Sequence, residues 1–267
     1  MRAALAATGV LVALGGCVTT GGPVQHPHRG DDNDIATASD QTNADRLSNT
    51  RMELAGAYLG RGQANDALDQ VKQALQAKPD NPAAYGLRGL IYAALGDNEK
   101  ADESFHRAMQ LAPHDADLIH NYGWYLCQQR RYADADAEFV RAMAEPGYRG
   151  MPRTLLVEGI CQARGGKPQD AERTLSHAYE LDPANPAIAV NLTEVLYRNG
   201  QYERARFYIR RVNNNQELAN AQTLWLAARI EHRLGQDLQV QAMGAQLRNR
   251  FPQSPEALLF EKGKFDE

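Results

Sequence analysis

Much of what marks an enzyme is missing from this chain. Its 267 residues hold three cysteines and no C-x-x-C, which excludes a disulfide-rich scaffold and the commoner redox and zinc ribbons. There is no G-x-x-x-x-G-K-[ST] to cradle a phosphate, no H-E-x-x-H to hold zinc and no G-x-S-x-G to present a serine nucleophile. Positive charge is in short supply: a net charge of −4 and a pI near 6.0 argue against a nucleic-acid footprint. Aromatics make up 7%. No apolar stretch approaches the roughly 20 residues a membrane-spanning helix requires. His26 and His28 flank a proline without a third ligand, and His106, His114, His120, His177 and His232 are scattered. No enzymatic activity, no metal and no cofactor are expected.

What the chain has instead is a period. In Asn121 to Met143, Tyr122, Gly123 and Leu126 fall at helical spacing, and Ala135, Phe139 and Ala142 repeat that spacing after a turn. Ala101, Phe105 and Ala108 lie 34 residues earlier, and Ala67, Val71 and Ala74 another 34 before those. The first-helix residues Ala55 and Tyr58, Gly89 and Tyr92, Gly123 and Leu126 keep the same interval, and Pro79 and Pro113 close the first two units. A small residue lets one helix approach its partner, and a large one fills the gap. Neither helix is apolar all round, so each hairpin needs neighbours to bury its stripe.

This pattern resembles the tetratricopeptide repeat. Beyond Glu145 the longer connector Pro146 to Pro152 shifts the register by two. A fourth unit follows with Gly159, Ala171, Leu175, Ala178 and Pro183. A fifth carries Leu192, Leu196, Ala205, Ile209 and Val212, and a degenerate sixth carries Ala228, Leu234, Gly235, Leu247 and Pro252. The expected fold is all-α, a right-handed α-solenoid of about six helix-turn-helix repeats within residues 46–267. The units fall at about 48–81, 82–115, 116–151, 152–185, 186–220 and 221–254, with a capping helix within Ser254 to Lys264.

The N-terminus reads as address rather than fold. Met1-Arg2 and the apolar stretch Ala3 to Leu14 make a signal peptide over residues 1–16. Leu14-Gly15-Gly16-Cys17 resembles the bacterial lipobox, in which the cysteine is lipidated, and Val18 after it resembles the pattern of lipoproteins forwarded to the outer membrane. Residues 17–45, rich in Gly, Pro, His, Asp, Asn, Thr and Ser, read as a lipidated cysteine and a flexible tether. In the oxidising compartment such a signal implies, Cys127 and Cys161, on neighbouring first helices, are expected to form a disulfide, the alternative being two buried thiols.

The remaining chemistry is a surface. First helices line the concave face of such stacks, and the register places Met52, Leu90, Trp124, Ile160, Glu194, Tyr197, Trp225 and Arg229 on it. Trp124 follows the close-packed Gly123, so its ring is expected in the groove; the competing placement is the core. An apolar groove with aromatic anchors suits a segment of another protein.

A lipobox, a polar tether and six repeats, with NYGWYLCQQ in the third and VEGICQARGG in the fourth, are similar to the type IV pilus biogenesis and stability lipoproteins, the PilF/PilW pilotin family. That resemblance implies a lipid-anchored protein on the periplasmic face of the outer membrane. There it would bind type IV pilus secretin subunits and promote their localisation and multimerisation, with no nucleic acid and no small-molecule substrate. The alternative is another periplasmic scaffold lipoprotein, an outer-membrane assembly accessory or a cell-wall hydrolase adaptor.

Overall fold

The computed structural model describes residues 42–265. The expected signal peptide, Cys17 and nearly all of the expected tether lie outside them. Within the described residues the chain forms thirteen α-helices and no strand, arranged as six hairpins and a cap. The hairpins are α1 (Asn43–Gly60) with α2 (Ala64–Ala77), α3 (Pro82–Ala94) with α4 (Asn98–Leu111), and α5 (Ala116–Gln128) with α6 (Tyr132–Ala144). They continue as α7 (Met151–Arg164) with α8 (Pro168–Leu181), α9 (Pro186–Arg198) with α10 (Tyr202–Asn213), and α11 (Ala221–Arg233) with α12 (Asp237–Arg250). The cap is α13 (Pro255–Glu261). Each first helix packs on its own second helix and on the first helix of the next unit, and α13 takes that place for α11. Among these residues no helix is long and apolar enough to cross a membrane.

Complementary volumes hold the hairpins together. A Cβ added to Gly89 would lie 2.7 Å from Phe105, and one added to Gly123 would lie 2.8 Å from Phe139, so glycine sets how closely the two helices approach. Phe105, Phe139, Leu175 and Ile209, at equivalent places in α4, α6, α8 and α10, are 0–1% exposed. Each such burial contributes about 1.5–3 kcal/mol. In the first unit the small residue is Ala55, and the smaller Val71 takes the aromatic's place in the same cluster. The turn within each hairpin is closed by a residue of positive φ, glycine at 62, 96, 166, 200 and 235, but Arg130 (φ 61°) in the third unit.

The helical stack starts sooner than composition suggests. Thr42 caps α1, accepting from the Asp45 amide at 3.1 Å while Asp45 accepts from the Thr42 amide at 3.0 Å. This reciprocal capping box takes residues 42–45, read from composition as tether, into the first helix.

Candidate partner-binding site

A cleft of about 690 Å³ opens between α9, α11, the start of α13 and the segment joining α10 to α11. Asn185 caps α9 by accepting from the Ala187 amide, Pro186 occupies the first turn, and the helix then presents Val190, Asn191 and Glu194 to the cleft. Asn220 and Thr223 form a second capping box, which starts α11 and aims Trp225, Leu226 and Arg229 at the same space. The connecting segment supplies Glu217 and Leu218 and is pinned from behind: Arg250 donates to the carbonyls of Gln216 and Ala219, both at 2.9 Å.

Of the eight register residues, the structure gathers three, Glu194, Trp225 and Arg229, around this cleft. Glu194 pairs with Arg198 one turn on, at 2.8 Å. The Arg229 guanidinium lies 4.6 Å from the centre of the Tyr197 ring, and its Nε donates to the Phe265 carbonyl at 3.2 Å. Trp225 is wall rather than protruding anchor. It is 7% exposed, stacked on Phe265 at 5.3 Å and edge-on to Phe260 at 6.5 Å.

Tyr197 needs correction. It is 7% exposed and belongs to the core around α9 and α10, beside Tyr202. It stands four residues beyond Thr193, the fifth unit's small residue, and the matching Cys127 of the third unit is buried too. In these two units that position faces neighbouring helices, not the groove. Met52, Leu90, Trp124 and Ile160 are half-buried on the first helices of units one to four. Trp124 packs against the core around Phe105 and Cys127 with the Arg164 guanidinium 5.6 Å from its ring centre, so it takes something of both placements. The contributions of Asn191, Glu217 and Leu218 escaped the register reading. The link Asn214 to Asn220, longer than the other inter-hairpin links and opening on a polar run, was the available signal.

Between units three and four the surface is closed. A disulfide joins Cys127 to Cys161, whose Cα atoms are 5.9 Å apart, inside the usual range. Nearby, the Gln162 side-chain amide donates to Asp136 at 2.9 Å and to Glu158 at 3.2 Å. Burial, reinforced by the Asp136 carboxylate, pushes the Glu158 pKa up to about 7. His120, 5% exposed, bonds through Nδ1 to Thr154 Oγ1 at 2.8 Å, and Thr154 in turn meets the Tyr148 hydroxyl at 2.7 Å. Burial, helped by the Arg153 charge, lowers the His120 pKa to about 4. Among the described residues no three His, Cys, Asp or Glu side chains converge as a metal would require.

Comparison with known proteins places this geometry. Tetratricopeptide repeat models match residues 82–115 and 163–230. The crystal structure of PilW, a widely conserved type IV pilus biogenesis factor, superposes with a TM-score of 0.71 at 32% identity, covering 80% of this chain and 97% of that one. The chain belongs to the PilF/PilW family. It is also 25% identical to the type IV pilus assembly protein PilF of Pseudomonas aeruginosa over 253 residues, 95% of either chain. The Pseudomonas aeruginosa PilF structure shares the fold, with a TM-score of 0.66 at 23% identity over 83% of this chain and all of that one. Tetratricopeptide repeat proteins mediate protein–protein interaction, which makes the cleft between α9 and α11 a candidate site.

Proposed function

We propose that the protein is a pilotin: an outer-membrane lipoprotein, anchored through acyl chains on Cys17, that holds a segment of the type IV pilus secretin and promotes its localisation and assembly into rings. The observation that carries this reading is the cleft between α9 and α11 on a chain of the PilF/PilW family. Its apolar floor of Val190, Leu218, Trp225 and Leu226, edged by Glu194, Glu217 and Arg229, suits a short peptide with one or two apolar anchors. The string Leu14-Gly15-Gly16-Cys17 supports the anchor, since one buried acyl chain binds weakly and two or more hold a protein on a bilayer. No chemistry is asked of the protein beyond binding.

A photo-crosslinking residue in place of Asn191, which lines the cleft, tests the partner in intact envelopes. Secretin subunits are the expected adduct. Barrel-assembly proteins or cell-wall hydrolases instead would move the protein to a different scaffold role. Cys17→Ala tests the anchor: the variant should leave the membrane fraction with its helicity unchanged, and continued flotation with outer membranes would refute lipid anchoring.

A further inference from the structure

Several arginines along the hairpins meet a carboxylate, as Arg131 meets Asp134, Arg141 meets Glu138 and Arg204 meets Glu172. Arg88 on α3 and Arg107 on α4 form no such pair with any described residue. Both guanidiniums instead lie against one ring, 4.7 Å and 5.9 Å from the centre of Tyr85. Arg88 is held from behind: its Nε donates to the buried Ser104 hydroxyl at 3.0 Å, which donates in turn to the Lys100 carbonyl at 2.6 Å. That bond leaves the two terminal nitrogens of the fork for another acceptor. Arg107 has only a long contact, 3.4 Å, to Gln110 Oε1.

These side chains, with His106 and Glu103, line an open cleft of about 530 Å³. A guanidinium held over an aromatic ring and tethered at Nε, as that of Arg88 is, has already lost much of its rotamer freedom, so it gives up less on taking a planar, two-oxygen acceptor. Nothing apolar deepens the cleft beyond Tyr85, and its openness to solvent fits a side chain on an extended backbone better than an enclosed small molecule. We propose that this cleft is a second recognition site, which seats an aspartate or glutamate side chain of an acidic partner segment between Arg88 and Arg107. It stands apart from the cleft on α9 and α11 in position and in charge, since that one carries Glu194, Glu217 and Glu256 against Arg229. The proposal needs no particular identity for the partner at α9 and α11, so either can fail alone.

The test uses the full-length chain and a fluorescently labelled, end-blocked hexaglutamate peptide at low salt. Arg107→Gln should weaken binding about tenfold and Arg88→Gln with Arg107→Gln further, in line with the loss of one and then two charge-assisted contacts. The imidazole resonances of His106 should move as peptide is added, and Arg248→Gln, at the far end of the stack, should bind as the parent does. Unchanged affinity in the paired variant with intact helicity would overturn the proposal. So would equal binding of hexaglutamine or an equal loss in Arg248→Gln. Phosphatidylglycerol vesicles supply the competing outcome: if they bind through the same arginines and the peptide fails to displace them, the site is for a membrane and the proposal falls. Arg107 is exposed, so its single variant carries the test should the paired one unfold.

Discussion

Two junctions in the stack are spanned by long connectors, and they are finished in opposite ways. Between α6 and α7 the segment Glu145 to Gly150 is tied down: Tyr148 meets Thr154, Thr154 meets the buried His120, and a disulfide crosses from α5 to α7. Between α10 and α11 the segment Asn214 to Asn220 is fastened by Arg250 from behind, while Glu217 and Leu218 line open space. The first junction spends its extra residues on rigidity and the second on a cleft. A solenoid whose units touch only their neighbours can make that choice locally, since stability adds unit by unit along the stack.

The largest effect that would test this contrast is expected at the open junction. Trp225→Ala removes a buried ring from beneath Phe260 and Phe265 and should cost about 3–5 kcal/mol, unfolding the cap and the sixth unit ahead of the rest. Hydrogen exchange by segment checks it. Protection lost evenly along the chain would show the two junctions to be coupled.

Next comes the closed junction. Replacing Cys127 and Cys161 together by alanine opens a crosslink of sequence separation 34. The expected cost is roughly 3 to 4 kcal/mol on the chain-entropy model. Thermal melting should record it while partner binding at α9 and α11 is preserved. Thiol titration of the denatured, non-reduced parent should find neither of these cysteines free.

The smallest effect concerns Glu158, whose folded pKa stands raised from 4.5 to about 7. The folded protein then keeps a proton that the unfolded chain has given up. This contribution is fully present below pH 4.5 and is lost as pH rises through about 7. Glu158→Gln should abolish that decline and leave the variant more stable than the parent at pH 8 by roughly 1–3 kcal/mol. His120 runs the other way. With its pKa lowered from 6.5 to about 4, it makes stability grow with pH across that interval in parent and variant alike. Denaturant midpoints from pH 4 to 8 separate the two.

The hairpins were legible because their rule is local and periodic: a small residue facing a large one at a 34-residue interval leaves a trace in any unit, and Gly123 with Phe139 is the clearest. The pairing of Cys127 with Cys161 was anticipated because neighbouring first helices are adjacent by construction. Exposure was harder to read. Trp225 looks like a groove residue until α13 and Phe265 fold over it, and no period announces a cap that occurs once. Tyr197 was misplaced because the face of a first helix changes owner within one turn, from groove to neighbouring helix. The start of α1 was missed because Thr42 and Asp45 sit in a stretch whose polarity reads as tether, although the three-residue spacing of a capping box was there. The cleft of Arg88 and Arg107 needs α3 and α4 laid side by side before two scattered arginines become one site.

The carbonyl of Phe265 has a consequence beyond closing the stack. By holding Arg229 against Tyr197 it sets the one cationic arm at the rim of the α9–α11 cleft. The last described turn of the chain thus works as a rear sight for the binding surface, and loosening it would let that arm swing while every hairpin stayed in place.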